Sequence, residues 1–151
     1  MRKIADGLSL LAITAWAGGL WGIGYIAVPV LFQTLPDRML AGLLAGKMFT
    51  LMAWVGIAAG GYLLAYYLKT SGGAALKRAA FLAAAAMLLI TLAMQFGIQP
   101  VMAGLKAQAA PLDVMHSELA GQFRMLHGVS SILYLVQSLL GVLLVLKSQR
   151  N

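Results

Sequence analysis

Long apolar runs separated by short polar stretches set the pattern of this chain. The first run extends from about Leu8 to Phe32 and breaks at Gln33-Thr34-Leu35-Pro36-Asp37-Arg38, where proline cannot continue a helix and Asp37 is suited to cap the next. The second reaches about Lys69 and stops at Thr70-Ser71-Gly72-Gly73, a turn-forming sequence. The third starts at Ala79, and Pro100 is expected to kink or end it near its far end. A polar stretch holding Pro111, Asp113, His116 and Glu118 leads to the fourth. Each run is longer than the roughly 20 residues that cross a bilayer. The pattern therefore predicts helices at about 8–32, 38–69, 79–104 and 119–146, making one all-α integral membrane four-helix bundle over residues 1–151.

Composition agrees with lipid as the main solvent, since 62% of residues are hydrophobic and only 10% charged, against about a quarter charged in soluble domains. Ala15-Trp16-Ala17 resembles a signal-peptide cleavage site, but the apolar run continues to Phe32, so retention is expected. The absence of cysteine excludes disulfides, thiolate metal sites and cysteine nucleophiles. A net charge of +7 would point to nucleic acid in a soluble protein. Here the basic residues stand singly or in pairs toward the ends of apolar runs, so the expected partner is the lipid bilayer and not nucleic acid. Arg2, Lys3, Lys69, Lys77, Arg78, Lys147 and Arg150 flank one side, whereas Arg38, Lys47, Lys106 and Arg124 flank the other. The positive-inside rule then places both termini in the cytoplasm.

Lipid gives helices no hydrophobic reason to associate, so contact faces should carry small residues at helical spacing. Gly42, Gly46, Phe49, Ala53, Gly56 and Gly60 form such a seam on the second helix, and Ala79, Ala83, Ala86, Ile90, Ala93 and Gly97 on the third. Gly18 and Gly22 make a shorter pair on the first. The fourth helix has a polar stripe instead: His127, Ser130, Tyr134, Gln137 and Gly141. Thr91, Gln95 and Gln99 line up likewise on the third. Counting about twenty residues from the cytoplasmic ends brings Phe49, Gln99 and His127 to one layer at the outer boundary. His127 is accordingly expected to be buried within hydrogen-bond reach of Gln99 or Gln95. Two readings stand at this point. The polar residues are interhelical hydrogen-bonding groups, or His127, Gln99, Gln95, Ser130 and Tyr134 form an outward-facing site for a small ligand. A repeat points to the same layer: Pro29, Pro36-Asp37 and Leu40-Ala41-Gly42 echo Pro100, Pro111-Leu112-Asp113 and Leu119-Ala120-Gly121.

Trp21-Gly22 to Pro29-Val30-Leu31-Phe32, Ala41-Gly42 to Phe49, Gln99-Pro100, and Phe123 with Leu126-His127-Gly128-Val129-Ser130 together resemble the bacterial transmembrane protein 205-like family, a domain of unknown function. The resemblance covers nearly the whole chain and implies a multi-pass protein of the bacterial inner membrane. More distantly, the arrangement is similar to the copper-resistance D group, which implies copper handling. The chain's two histidines are too few for the several membrane-embedded histidines of a bis-histidine haem.

A metal reading would use His127 with Met125 and Met48, because imidazole and thioether suit Cu(I). Methionine is equally ordinary filling for an apolar core. No intramembrane carboxylate pair, phosphate loop or Ser-His-Asp set argues for an enzyme, and no cofactor is indicated. The third class is an assembly subunit, pairing with itself or with another membrane protein through its small-residue faces.

Overall fold

At the first break the backbone becomes extended at Leu35, before Pro36, and the Asp37 carboxylate caps the next helix by accepting the N–H groups of Met39 at 2.8 Å and Leu40 at 3.2 Å. The computed structural model describes residues 2–148, so Arg150 and Asn151 lie outside the described residues. Its four long helices are α1 (Lys3–Thr34), α2 (Arg38–Ser71), α3 (Ala79–Ala109) and α4 (Ala120–Ser148), each apolar enough to cross a membrane. Gly72 ends α2 at φ +54°, a left-handed value that favours glycine, and a 3-10 segment, Gly72–Lys77, leads to α3. Among the described residues there are helices and short connecting turns and no strand, as the pattern predicted.

Three single π-helical turns interrupt the regular winding: Thr14–Gly18 and Ile23–Ala27 in α1, and Met94–Ile98 in α3. Pro29 and Pro100 each stand second in the α-helical segment after one of these turns. A proline inside a helix lacks its N–H and crowds the carbonyl four residues back, and the wider turn accommodates both defects. α3, expected to reach about residue 104 with a kink or an end at Pro100, is not ended by the proline. It continues to Ala109.

α1 and α3 each pack against both α2 and α4, which closes the four helices into a ring. Trp16, Leu63, Met87 and Leu144 are fully buried in the half nearer the chain ends. At that terminal end the Tyr66 hydroxyl donates to Asp6 at 2.7 Å and the Tyr62 hydroxyl to the Ala5 carbonyl at 3.0 Å, tying α2 to α1. A smaller apolar cluster, including Met102, Leu105, Val114 and Phe123, sits at the opposite, distal end. Leu51, Leu89 and Leu139 stay largely exposed on the outside, as a lipid-facing surface requires.

The small-residue seams are only partly those expected. On α2, Gly56 and Gly60 are buried against the Trp16 indole, and a Cβ on Gly56 would lie 2.5 Å from its Nε1. A Cβ on Gly46 would meet nothing within 4 Å, and one on Gly42 would make only ordinary contacts. On α1, Gly18 and Gly22 face open space, while Gly19 receives Met52 and Gly24 the Tyr134 ring. The π turns explain the change, because residues five apart come close to one face when a wider turn intervenes. On α3, Ala83 of the expected seam is buried, but Ala79, Ala93 and Gly97 are exposed, and the main buried line is Ala80, Ala84, Met87 and Thr91. Contact with α2 on one side and α4 on the other rotates that line by one residue from the seam.

Candidate functional site

Polar side chains gather where α4 meets α3 and α1. Gln137 donates its amide to the Thr91 hydroxyl at 2.6 Å and to the Met87 carbonyl at 3.3 Å, and Thr91 donates to the same carbonyl at 2.9 Å. Tyr134 donates to the Leu20 carbonyl of α1 at 2.5 Å, and its ring lies edge-on to Tyr25 and Phe49, with centroids 6.1 and 5.3 Å away. Tyr25 donates to the Ser138 hydroxyl at 3.0 Å and the Trp21 indole to the Ser138 carbonyl at 3.3 Å. Each of these groups has a partner on another helix. They hold the bundle together in a medium where an unmade hydrogen bond is costly.

One turn further along α3 the situation changes. Gln95 and Gln99 line a cavity of about 40 Å³ with Tyr134, Gln137, Phe49 and Thr91, room for about one water. The same two glutamines also line a groove of about 620 Å³ between α2 and α3, open at the side of the bundle. Among the described residues neither amide has a hydrogen-bond partner. The π turn Met94–Ile98 contains Gln95 and ends next to Gln99, so the local departure from regular winding falls where these amides leave the helix. π turns recur at functional positions because they re-aim side chains without ending the helix.

The groove's other walls are Gly42, Gly46 and Thr50 on α2 and Pro100, Met102 and Ala103 on α3, with Lys47 and Lys106 at its polar end. The Lys106 ammonium lies 5.5 Å from the centre of the Phe123 ring and 3.8 Å from where a Cβ on Gly42 would stand. No carboxylate lines this groove.

The predicted site residues therefore separate. Gln95, Gln99 and Tyr134 come together around the cavity. Ser130 is buried, but its hydroxyl donates to the His127 carbonyl of its own helix at 2.9 Å. His127 is exposed, its ring stacked on Phe123 with centroids 6.0 Å apart, and it lines neither the cavity nor the groove. The expectation that it is buried beside Gln99 or Gln95 is corrected. At 3.6 residues per turn His127 stands about 50° off the mean direction of Ser130, Tyr134, Gln137 and Gly141, enough to carry it past the edge of the buried face.

The residues named for copper do not converge in this arrangement. Met125 is 64% exposed and precedes His127 by two residues, so the two side chains point about 160° apart around α4. Met48 is half-buried on α2 and lines neither the cavity nor the groove. Among the described residues no group of three or more His, Cys, Asp or Glu side chains could hold a metal ion.

Lys47 and Lys106 bore on the sequence only through the count of basic residues that sets orientation. The signal that could have singled them out was their place on the side poorer in basic residues, within helices that are otherwise apolar. Among known proteins, a family model described as a domain of unknown function, DUF4149, matches residues 11–111. That match does not extend to the transmembrane protein 205-like or copper-resistance D likenesses. No curated protein and no solved structure matches the chain.

Proposed function

From a chain that belongs to the DUF4149 family, whose function is unknown, we propose a multi-pass bacterial inner-membrane protein that takes a small ligand from the outer side through the groove between α2 and α3. The observation that carries this reading is the pair of unpartnered amides, Gln95 and Gln99, shared by the groove and the inner cavity. A polar group left unpaired at membrane depth costs free energy, and such residues are retained mainly where they line a pathway or a site. Tyr134 closes the cavity from the α4 side. The excess of basic residues at the terminal end supports N-in, C-in orientation, with the groove mouth facing the periplasm.

The chain has no cysteine, so single-cysteine labelling tests the reading directly. A membrane-impermeant maleimide added from the periplasmic side should label Gly46→Cys and leave Gly60→Cys unmodified. An alkaline phosphatase fusion near Gln108 should be active and one after Asn151 inactive. Protection of Gly46→Cys from outside would overturn the outward opening, and an active C-terminal fusion would overturn the orientation.

A further inference from the structure

The groove is graded along its length, and the gradient identifies a class of ligand. At 1.5 Å per residue, Lys47 lies about 28 Å along α2 from Tyr66, close to the thickness of the hydrocarbon core. With the tyrosine-rich terminal end at one interface, Lys47 then stands at the other. The Lys106 ammonium, beside Gly42, lies roughly another 7 Å outward, at headgroup depth. Leu51 and Met102 offer apolar wall, and Gln95 and Gln99 place amide donors on the cytoplasmic side of the cations.

We propose that this groove binds an anionic glycerophospholipid, its phosphate held by Lys47 and Lys106, its ester carbonyls accepting from Gln95 and Gln99, and an acyl chain lying along the apolar wall. This rests on the proposed ligand groove and names the ligand class.

Charge complementarity favours this occupant over a neutral one. Neither lysine is paired with a carboxylate among the described residues. Asp113 is the acid whose field reaches Lys106, and its Oδ1 already accepts the Met115 N–H at 2.8 Å. Apolar walls below the cations distinguish a lipid from a free anion. Glycine at positions 42 and 46 keeps the α2 wall clear of side chains, which gives a headgroup room to enter from the side.

The test is native mass spectrometry of the full-length protein in detergent, with dioleoylphosphatidylglycerol and dioleoylphosphatidylcholine supplied at equal concentration. The wild type should retain the anionic lipid about fivefold or more over the zwitterionic one. The double variant Lys47→Gln/Lys106→Gln should bring that ratio close to one. Lys69→Gln/Lys77→Gln, at the terminal end, should leave it unchanged. An unchanged ratio in the first variant, or an equal fall in the second, overturns the proposal. Inorganic phosphate should displace no more lipid than chloride at matched ionic strength; greater displacement would make a free anion the ligand and also overturn it. Gly46→Phe, which fills the groove, should release both lipids. If Gly46→Phe releases both while the Lys47/Lys106 variant changes nothing, the groove reading stands and the anionic class falls. If both lipids survive Gly46→Phe, the groove reading falls as well. Thermal unfolding of each variant reports whether it has folded.

Discussion

The two halves of α2 carry the same kind of residue and use it in opposite ways. Toward the terminal end, Gly56 and Gly60 let the Trp16 indole lie directly against the backbone. Toward the distal end, Gly42 and Gly46 have the same spacing, but a Cβ on Gly46 would meet nothing within 4 Å and one on Gly42 only the ends of Lys106 and Phe32 at ordinary contact distance. One half is closed by glycine and the other is held open by it. The difference comes from the partner and not from α2, since α1 brings a buried tryptophan to the first pair while the second faces a groove. A small-residue repeat therefore says where a backbone can be approached, and the opposing helix decides whether it is.

The closed half should be the easier to break. Trp16→Ala removes a side chain with no exposed surface and is expected to cost about 3–5 kcal/mol, read as loss of folded protein in a detergent unfolding titration. Gly56→Leu should cost about 1–3 kcal/mol or more, because the new side chain meets the rigid indole and not a flexible chain end. Gly46→Leu in the same assay should stay within about 0.5 kcal/mol of wild type. Equal losses at Gly46 and Gly56 would mean that the distal half is as tightly packed as the proximal one, and the contrast would disappear.

Much of the fold could be read from the sequence because its strongest determinants are local. Pro36 with Asp37, and Gly72, each act on the backbone within a few residues, and the breaks fall there. The inward line Thr91, Gln95 and Gln99 was legible for a similar reason, as polar residues on one face of an apolar helix need something other than lipid. The π turns were not legible, because an extra residue in a turn leaves no mark on composition yet shifts the register of the helix beyond it. That is why Gly18 and Gly22 looked like the contact pair of α1 when Gly19 and Gly24 make the contacts. His127 was misplaced by a related error. A rhythm of threes and fours tolerates a drift of tens of degrees, and at the margin of a buried face that drift separates inside from outside. The lysines of the groove were invisible as a pair, being far apart in sequence on two antiparallel helices.

A second comparison, between glutamines, separates packing from binding. Gln137 is buried and donates to both Thr91 and Met87. Gln137→Leu should therefore destabilise the bundle by about 1 kcal/mol, in the range measured for hydrogen bonds between membrane helices. Thermal unfolding in detergent measures it. No loss would show that the α3–α4 contact depends on its apolar surface alone.

Gln95→Leu/Gln99→Leu should have the smallest effect on stability and the more telling one on binding. These amides have no partner among the described residues, so leucine removes an unpaired polar group without breaking a bond. Stability should stay within about 0.5 kcal/mol of wild type, or rise. Lipid retained by the purified protein should fall all the same, since the donors facing the groove are gone and the added branching narrows its floor. Measuring both quantities on one preparation is what gives the variant its force. A cost matching that of Gln137→Leu, with lipid retention intact, would show that these residues serve the bundle as Gln137 does, and that the open half of the molecule differs from the closed half in packing density alone.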